Sequence, residues 1–555
     1  MTLKQRSSSL LKRICNQSHP NVVHGKPGTF MLCEAFICFL DEYRTDFGVP
    51  KSWIADSFNI NTWMIVSSMI TDGLSWWQAW VCVWLGYGIV APFIVLNARP
   101  GAIQHITFPV VARTSFGLWG SLWCTFNRGA MACIWYGVQA SIGGSCVLVM
   151  LRSMWPSVQN IRGSNSMPES SGTNTRDFMC FFLFWLISLP AIWFPIHKIR
   201  HLFTAKAIVV PIAGIAFFVW SIVKAKGVGP IIHRPAKLHG SELGWVMVKS
   251  LMSCISNMAT LVVNAPDFAS RAHRPSNAVM PQLISVPLGF SLVSFLGIIV
   301  SSSSEVIYGE PVWSPIDLLG KLLDGNPSHA TRFGVWFISA SFILAQLGTN
   351  ISANSVSAGC DLTALFPRFI NIRRGGYIAA IVGLAMCPWQ LLKDSNSFTS
   401  YLSAYSVFLS SIAGVMITEY WLIRRGHYRI ADLYHTERTG WYWYTLGINP
   451  KAYVAYISGI LINVVGFAGG TGQTVPLAAT RIYQMAFFTG FGVSSIIYYV
   501  LNRIWPSPGS WQTFEEVDES GWHPVEEHRR DSEEEDSYSV KKQGDDAFVR
   551  EVPVA

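Results

Sequence analysis

Between residues 51 and 502 the chain repeats one pattern: a run of roughly twenty mainly apolar residues, a short polar connection, then another such run. About 20 apolar residues is the length an α-helix needs to cross the ~30 Å hydrocarbon core of a bilayer, where each backbone N–H and C=O must be satisfied within its own segment. Segments of this kind lie near 51–71, 77–97, 120–151, 179–194, 202–223, 243–265, 283–302, 333–352, 376–391, 398–421, 452–468 and 483–502. The pattern predicts an all-α polytopic membrane protein with twelve transmembrane helices. An even number puts both termini on one side. Lys and Arg favour the same side by a narrow margin, with IRRGHYR after the tenth segment as the strongest cluster, which places the termini in the cytoplasm.

Half of the 555 residues are hydrophobic and only 13% are charged, so no soluble domain interrupts the series. The net charge of +8 is unevenly spread, since residues 511–555 hold fourteen Asp and Glu against five Lys and Arg. Cationic loops beside anionic headgroups are ordinary for a membrane protein, and nucleic acid is not an expected partner. The acidic stretch 503–555, with EEED at 533–536, has too little apolar surface to fold and reads as a disordered cytoplasmic tail. Residues 1–50 read as a cytoplasmic segment, with no apolar core of signal-peptide length in the first 28. Most cysteines fall inside the apolar segments without regular spacing and read as packing residues. His197 and His201 have the i,i+4 spacing of a metal pair but no third ligand nearby, so a membrane enzyme is the weaker reading and no metal or cofactor is implied.

Polar side chains within lipid need a reason. Arg128, Trp135 and Gln139 lie along one stripe of the third segment. In the sixth, SNMATLVVNAPDF brings Asn257, Asn264 and Pro266 into an apolar run. At the end of the eighth, LGTNISANS sets Asn350 and Asn354 one turn apart behind Gly348 and Thr349. The first carries Ser57, Asn59, Asn61 and Thr62 near its middle, a composition that lets the helix unwind and offer backbone groups to a solute. Asn and Ser also bond helices to one another in membranes, but the same anomaly in four segments at similar depth favours a shared site. An indole offers a stacking face worth ~0.5–1.5 kcal/mol beyond area burial, and each carboxamide offers a donor and an acceptor. Such a set suits a neutral planar heterocycle that is bound and occluded, and it argues against a continuous wet pore.

At these residues the chain resembles the nucleobase-cation-symport family of secondary transporters, and within it the fungal uracil, allantoin and uridine permeases. The strings that carry the resemblance are SFNINTWMI, GAIQHITFPVVARTSFG, ACIWYGVQ, NAPDFASRA, ANSVSAGCDLTALFPRFINIRRGGYI and ITEYWLIRRGHYRIADLY, spread over most of residues 52–502. The resemblance implies two inverted repeats of five helices, 51–223 and 243–421, plus two C-terminal helices over 452–502, with broken first and sixth spans flanking the substrate. It implies that Trp135 stacks on the ring while Gln139 and Asn354 bond its edge. Met258 stands where bacterial relatives have a second indole, so Asn257 is expected to contact the ring instead, and the backbone and polar groups of Ser57, Asn59 and Asn61 are expected beside it. The family's sodium site corresponds to Ala345, Gly348 and Thr349, and Gly348 replaces a hydroxyl ligand, which points to proton coupling. Asp361, with Arg271 or Arg274 as basic partner, is the expected proton or gating group. Phe398, Tyr401 and Leu402 fall at the family's outer gate. Residues 25–50 lack the family's usual lead-in motifs, so the N-terminal segment is atypical. The implied function is import of uracil, allantoin or a related heterocycle across the plasma membrane by proton symport, with uridine or a thiamine-type vitamin as the alternative cargo.

Overall fold

The computed structural model describes residues 57–516, save 161–166, 195, 229–231, 234–236, 271, 273–274, 436 and 512. The N-terminal segment 1–50 and the chain beyond 516 lie outside the described residues. So do Arg271 and Arg274, and the side chains of His197 and His201.

The described secondary structure is helical, with one isolated antiparallel bridge between Thr445 and Ile448. In chain order the helices are α1 (Ile60–Thr71), α2 (Trp76–Gln104), α3 (Phe108–Phe116), α4 (Ser121–Met154), α5 (Thr175–Trp193) and α6 (Ile196–Lys224). They continue as α7 (Gly240–Asn257), α8 (Ala259–Val263), α9 (Ala265–Ala269), α10 (Pro275–Tyr308), α11 (Pro315–Lys321) and α12 (His329–Thr349). The last are α13 (Val356–Leu365), α14 (Ile372–Ala385), α15 (Ser395–Thr418), α16 (Pro450–Gly470), α17 (Leu477–Tyr483) and α18 (Ala486–Ile504). Among the described residues eight helices are long and apolar enough to cross a membrane, or nine if α17 and α18, bent by 80°, form one span.

Three of the twelve expected segments are not among these helices. The first is described only from Ser57, and α1 has 12 residues, ~18 Å at 1.5 Å per residue. Its start is set by Asn59, whose side chain accepts the N–H of Asn61 at 2.9 Å and caps the helix. The ninth forms α14, with 14 residues. The sixth is broken into α7, α8 and α9, and side chains from neighbouring helices satisfy the backbone groups that the breaks release. Asn97 of α2 donates to the carbonyls of Val262 (2.7 Å) and Val263 (2.9 Å), and the Tyr405 hydroxyl of α15 donates to Ser256 O (2.8 Å). Pro266, at the start of α9, has no N–H to leave stranded. The eighth segment is continuous but locally underwound, with a π-helical stretch, Asn350–Ser355, joining α12 to α13. Such π-turns inside α-helices recur at functional sites.

One glycine contact sets how closely two of the helices around this region approach. A Cβ on Gly137 of α4 would lie 2.6 Å from Gly383 O of α14, so only glycine permits that crossing. On the other side, α10 packs along α1 and α2, while α4 packs along α5 and α12.

The boundary drawn for the disordered tail at 503 moves. Helix α18 runs to Ile504, and the residues that follow pack against the end of α15 and the loop beyond it. Trp511 N–H donates to Ile423 O (3.1 Å), Glu515 N–H donates to Arg425 O (3.0 Å), and Phe514 stacks on Trp421 at 5.1 Å. Glu516 pairs with Arg99 at 2.6 Å and accepts from the Tyr420 hydroxyl at 2.8 Å. The acidic composition of the tail conceals two aromatic residues, Trp511 and Phe514, that supply the apolar surface for this attachment.

Candidate functional site

The breaks in the sixth segment, the cap of α1 and the π-stretch surround a cavity of about 80 Å³. A water needs roughly 10–15 Å³ of such space, so the cavity accepts a small ring and little more. It lies against the middle of α4, which contributes Trp135, Gln139, Ala132 and Arg128. Their spacing of three, four and seven residues puts them on one helical stripe.

Trp135 is 7% exposed and Gln139 2% exposed. The indole packs under two phenol rings of α15, Tyr401 at 5.8 Å and Tyr405 at 6.1 Å between centroids. Because Tyr405 also bonds Ser256 O, one side chain links the indole's neighbourhood to the broken segment. The Gln139 Oε1 atom is buried without a hydrogen-bond partner, and so is Asn61 Oδ1. A buried amide left unpaired costs ~1–3 kcal/mol, so both acceptors are available to a ligand donor.

Asn354, in the π-stretch, donates to Asn350 Oδ1 at 3.0 Å, and Asn350 donates to Tyr136 O at 3.2 Å. The chain of two amides ties the π-helical turn back to α4. Asn257, at the first break of the sixth segment, points its Nδ2 at the Tyr87 hydroxyl, 3.4 Å away. Met258, 1% exposed, lines the same cavity, as do Asn59, Asn61 and Thr62.

The charged side chain that lines the cavity is paired. Arg128 meets Asp361 of α13 at 2.5 Å, with side chains 5% and 1% exposed. The Asn264 amide, turned so that its nitrogen donates to Thr260 O (2.8 Å), accepts from the other Arg128 nitrogen. Asp361 thus has a basic partner, and it is Arg128. Arg271 and Arg274, the partners expected from the sequence, lie outside the described residues.

At the eighth segment, Thr349 lines the cavity, whereas Ala345 and Gly348 are buried and do not line it. Next to them stands a group that the sequence reading passed over. Lys206 of α6 is 4% exposed, and its ammonium donates to Thr349 Oγ1 at 2.7 Å. Its stem fills the space left by Gly348, where a Cβ would sit 3.0 Å from Lys206 Cδ. The signal was present in HLFTAKAIVV, a single charge within an apolar run.

Of the remaining expected residues, Ser57 is buried and does not line the cavity. Tyr401 lies over the indole, while Phe398 and Leu402 are fully buried in the same helix and Phe398 faces Trp313 at 6.1 Å. Phe290 of α10 also lines the cavity, and nothing in its apolar segment distinguished it from a packing residue.

Comparison with known proteins gives consistent results. The family profile described as permease for cytosine/purines, uracil, thiamine and allantoin matches residues 49–490. The allantoin permease of Saccharomyces cerevisiae is 44% identical over 478 residues, covering 85% of this chain and 75% of that protein. The uracil permease of the same yeast is 42% identical over 468 residues, covering 82% and 73%. Among solved structures, the inward-facing conformation of Mhp1 superposes with a TM-score of 0.66 at 22% identity, covering 85% of this chain and 94% of Mhp1; that likeness is one of fold.

Proposed function

The chain belongs to the nucleobase-cation-symport family, the permeases for cytosine/purines, uracil, thiamine and allantoin, and from that premise we propose that it imports a neutral heterocycle of the uracil and allantoin class by proton symport. Family membership makes it a transporter and not an enzyme. The proposed frame is twelve spans, with inverted repeats over 51–223 and 243–421 and two further helices over 452–502. Both termini would lie in the cytoplasm and the chain in the plasma membrane.

The observation that carries the reading is the convergence of one indole, Trp135, and several carboxamides, Gln139, Asn257 and Asn354 among them, on a single cavity at helix breaks. Trp135 offers a stacking face. Gln139 and Asn354 offer hydrogen bonds to the N–H and C=O groups of the ring edge, and Asn257 a further contact. Among the described lining residues the one charged group, Arg128, is held by Asp361, which suits a solute without formal charge.

Proton coupling is supported by the group beside Thr349. A metal cation needs several oxygen ligands, and here an ammonium occupies the hydroxyl of one expected ligand while its stem covers the glycine at another. Two positive charges 4 Å apart repel by ~4 kcal/mol at an effective dielectric of 20, so the amine disfavours a second cation there. In this mechanism Asp361, with Arg128, and Lys206 are the groups through which a proton is coupled to the change of access. One charge moving inward is worth ~2.3 kcal/mol per 100 mV, about fifty-fold accumulation of a neutral solute.

The test is uptake of labelled uracil and allantoin in cells lacking their own permeases. Uptake is expected to survive replacement of sodium by choline and to collapse with a protonophore, and Trp135→Ala is expected to abolish it at unchanged surface expression. Loss of uptake in choline with resistance to the protonophore overturns the coupling. Normal uptake by the Trp135 variant overturns the site.

A further inference from the structure

Met258 stands where an indole would supply a second plate for the ring, yet the cavity does not lack a second aromatic residue. Among its described lining residues two are aromatic, Trp135 and Phe290. They reach it from different groups of helices, because α4 packs along α5 and α12 whereas α10 packs along α1 and α2. Phe290 is 2% exposed and is backed by Tyr87 of α2, whose ring stacks on it at 4.8 Å with 27° between planes. The Tyr87 hydroxyl in turn meets Asn257 Nδ2 at 3.4 Å. A ring held from behind by another ring has little freedom to turn away from the cavity, and its neighbour Asn257 is a polar group of the same wall.

We propose that Phe290 is the second aromatic wall of the substrate site and that it sets the preference for flat over puckered rings, a reading that rests on the transport function proposed above. The chemistry follows from the side chain. Phe290 has no hydrogen-bonding group, so it contributes through contact with the face or edge of the ring alone. A planar sp2 ring such as uracil presents a continuous π-face to it. A ring with tetrahedral carbons, such as 5,6-dihydrouracil or allantoin, projects C–H or N–H bonds out of its plane and gains less from an aromatic wall, although its edge still matches Gln139 and Asn354. Edge amides thus select the heterocycle class, and Phe290 selects within that class by flatness.

The experiment compares inhibition of labelled uracil uptake by uracil, 5,6-dihydrouracil and allantoin, in the full-length chain and in Phe290→Leu and Phe290→Tyr. Leucine keeps an apolar side chain of similar bulk but removes the π-face, and tyrosine keeps it. The ratio of dihydrouracil to uracil inhibition constants is expected to fall about two- to twelvefold in Phe290→Leu, the worth of one aromatic contact, and to stay near the parent value in Phe290→Tyr. A ratio unchanged in Phe290→Leu, or changed equally in both variants, overturns the assignment while leaving the transport reading intact. If Phe290→Leu does not reach the surface, ligand-induced thermal stabilisation of the detergent-purified variant by the same three compounds reads the same ratio. A parent chain that neither takes up nor binds any of the three overturns both readings.

Discussion

Replacing Asp361 by Asn should destabilise the protein far more than the same change at Asp324, although the two carboxylates sit equally close to an arginine. Arg128–Asp361 and Arg152–Asp324 both measure 2.5 Å. Their surroundings differ, since the Asp361 side chain is 1% exposed and that of Asp324 is 61% exposed. Removing one partner of a buried pair costs ~3–5 kcal/mol because the other charge stays buried and uncompensated, whereas an exposed pair is worth ~0–1 kcal/mol. The nearest alternative carboxylate along the broken segment, Asp267, already accepts the Phe108 N–H at 2.7 Å. Asp361→Asn and Arg128→Gln are therefore each expected to lose ~3–5 kcal/mol, and Asp324→Asn under ~1 kcal/mol. The double variant Arg128→Gln with Asp361→Asn leaves no stranded charge, so it should lose less than the sum of the singles by ~2 kcal/mol or more. Denaturant titration of the detergent-solubilised protein, followed by tryptophan fluorescence, gives the four values. If Asp361→Asn and Asp324→Asn prove alike, or the two single losses add, the claim that burial makes this pair a structural clamp of the cavity is refuted.

Gln139→Ala and Asn354→Ala each remove a donor and an acceptor from the ring edge while keeping the indole; the apparent KM for uracil should rise at least tenfold in each, and ordinary kinetics in both would take the amides out of the site. The attachment of residues 511–516 has a pH dependence with a definite sign. Burial pushes the Glu516 carboxyl up, but hydrogen bonds from Arg99 and Tyr420 outweigh it and hold the group below its ordinary value. Its contribution is fully present above the unfolded glutamate pKa of ~4.3 and is lost as pH falls through the lower folded value. Protease cleavage after Arg503 should thus stay constant from pH 8 to about pH 5, and Glu516→Gln should accelerate it throughout that range; cleavage that climbs between pH 8 and pH 6 contradicts the assignment.

Helix breaks were legible in the sequence because the residues that cause them are chemically conspicuous: Pro266, Asn257 and Asn264 in an apolar run, and Asn59 ahead of α1. Trp135 and Gln139 were legible for the same reason, together with their one-turn spacing. The partner of Asp361 was not, because it lies 233 residues away on α4 and only packing brings it near, while Arg271 and Arg274 are closer along the chain. Lys206 announced itself as a charge in lipid, but its meaning depends on α6 packing along α12, which no local pattern encodes. Phe290 gave no signal, since one more aromatic residue in an apolar helix is indistinguishable from packing until its neighbours are known.

The amides of the described chain separate into two kinds, and the separation marks the site better than residue type does. Asn97 gives both its hydrogens to carbonyls of the broken segment, and Asn449 is engaged by Ser115 O, the Tyr498 hydroxyl and Lys451 N–H. Asn350 likewise uses both ends, donating to Tyr136 O and accepting from Asn354. These side chains complete the scaffold, and substituting them would disturb the helices before it disturbed a ligand. Gln139 and Asn61 each keep a buried acceptor without a partner. So do Gln282, Gln346 and Gln484, but none of these lines the cavity. An unsatisfied amide is therefore only half of the criterion; the other half is an opening in front of it. Gln139 and Asn61 meet both, since each lines the space shared with Trp135 and the helix breaks, and a solute that donates to both relieves two buried acceptors. That relief is available only to a ring carrying N–H groups on its edge, which gives the cavity a reason to reject apolar rings of the same size.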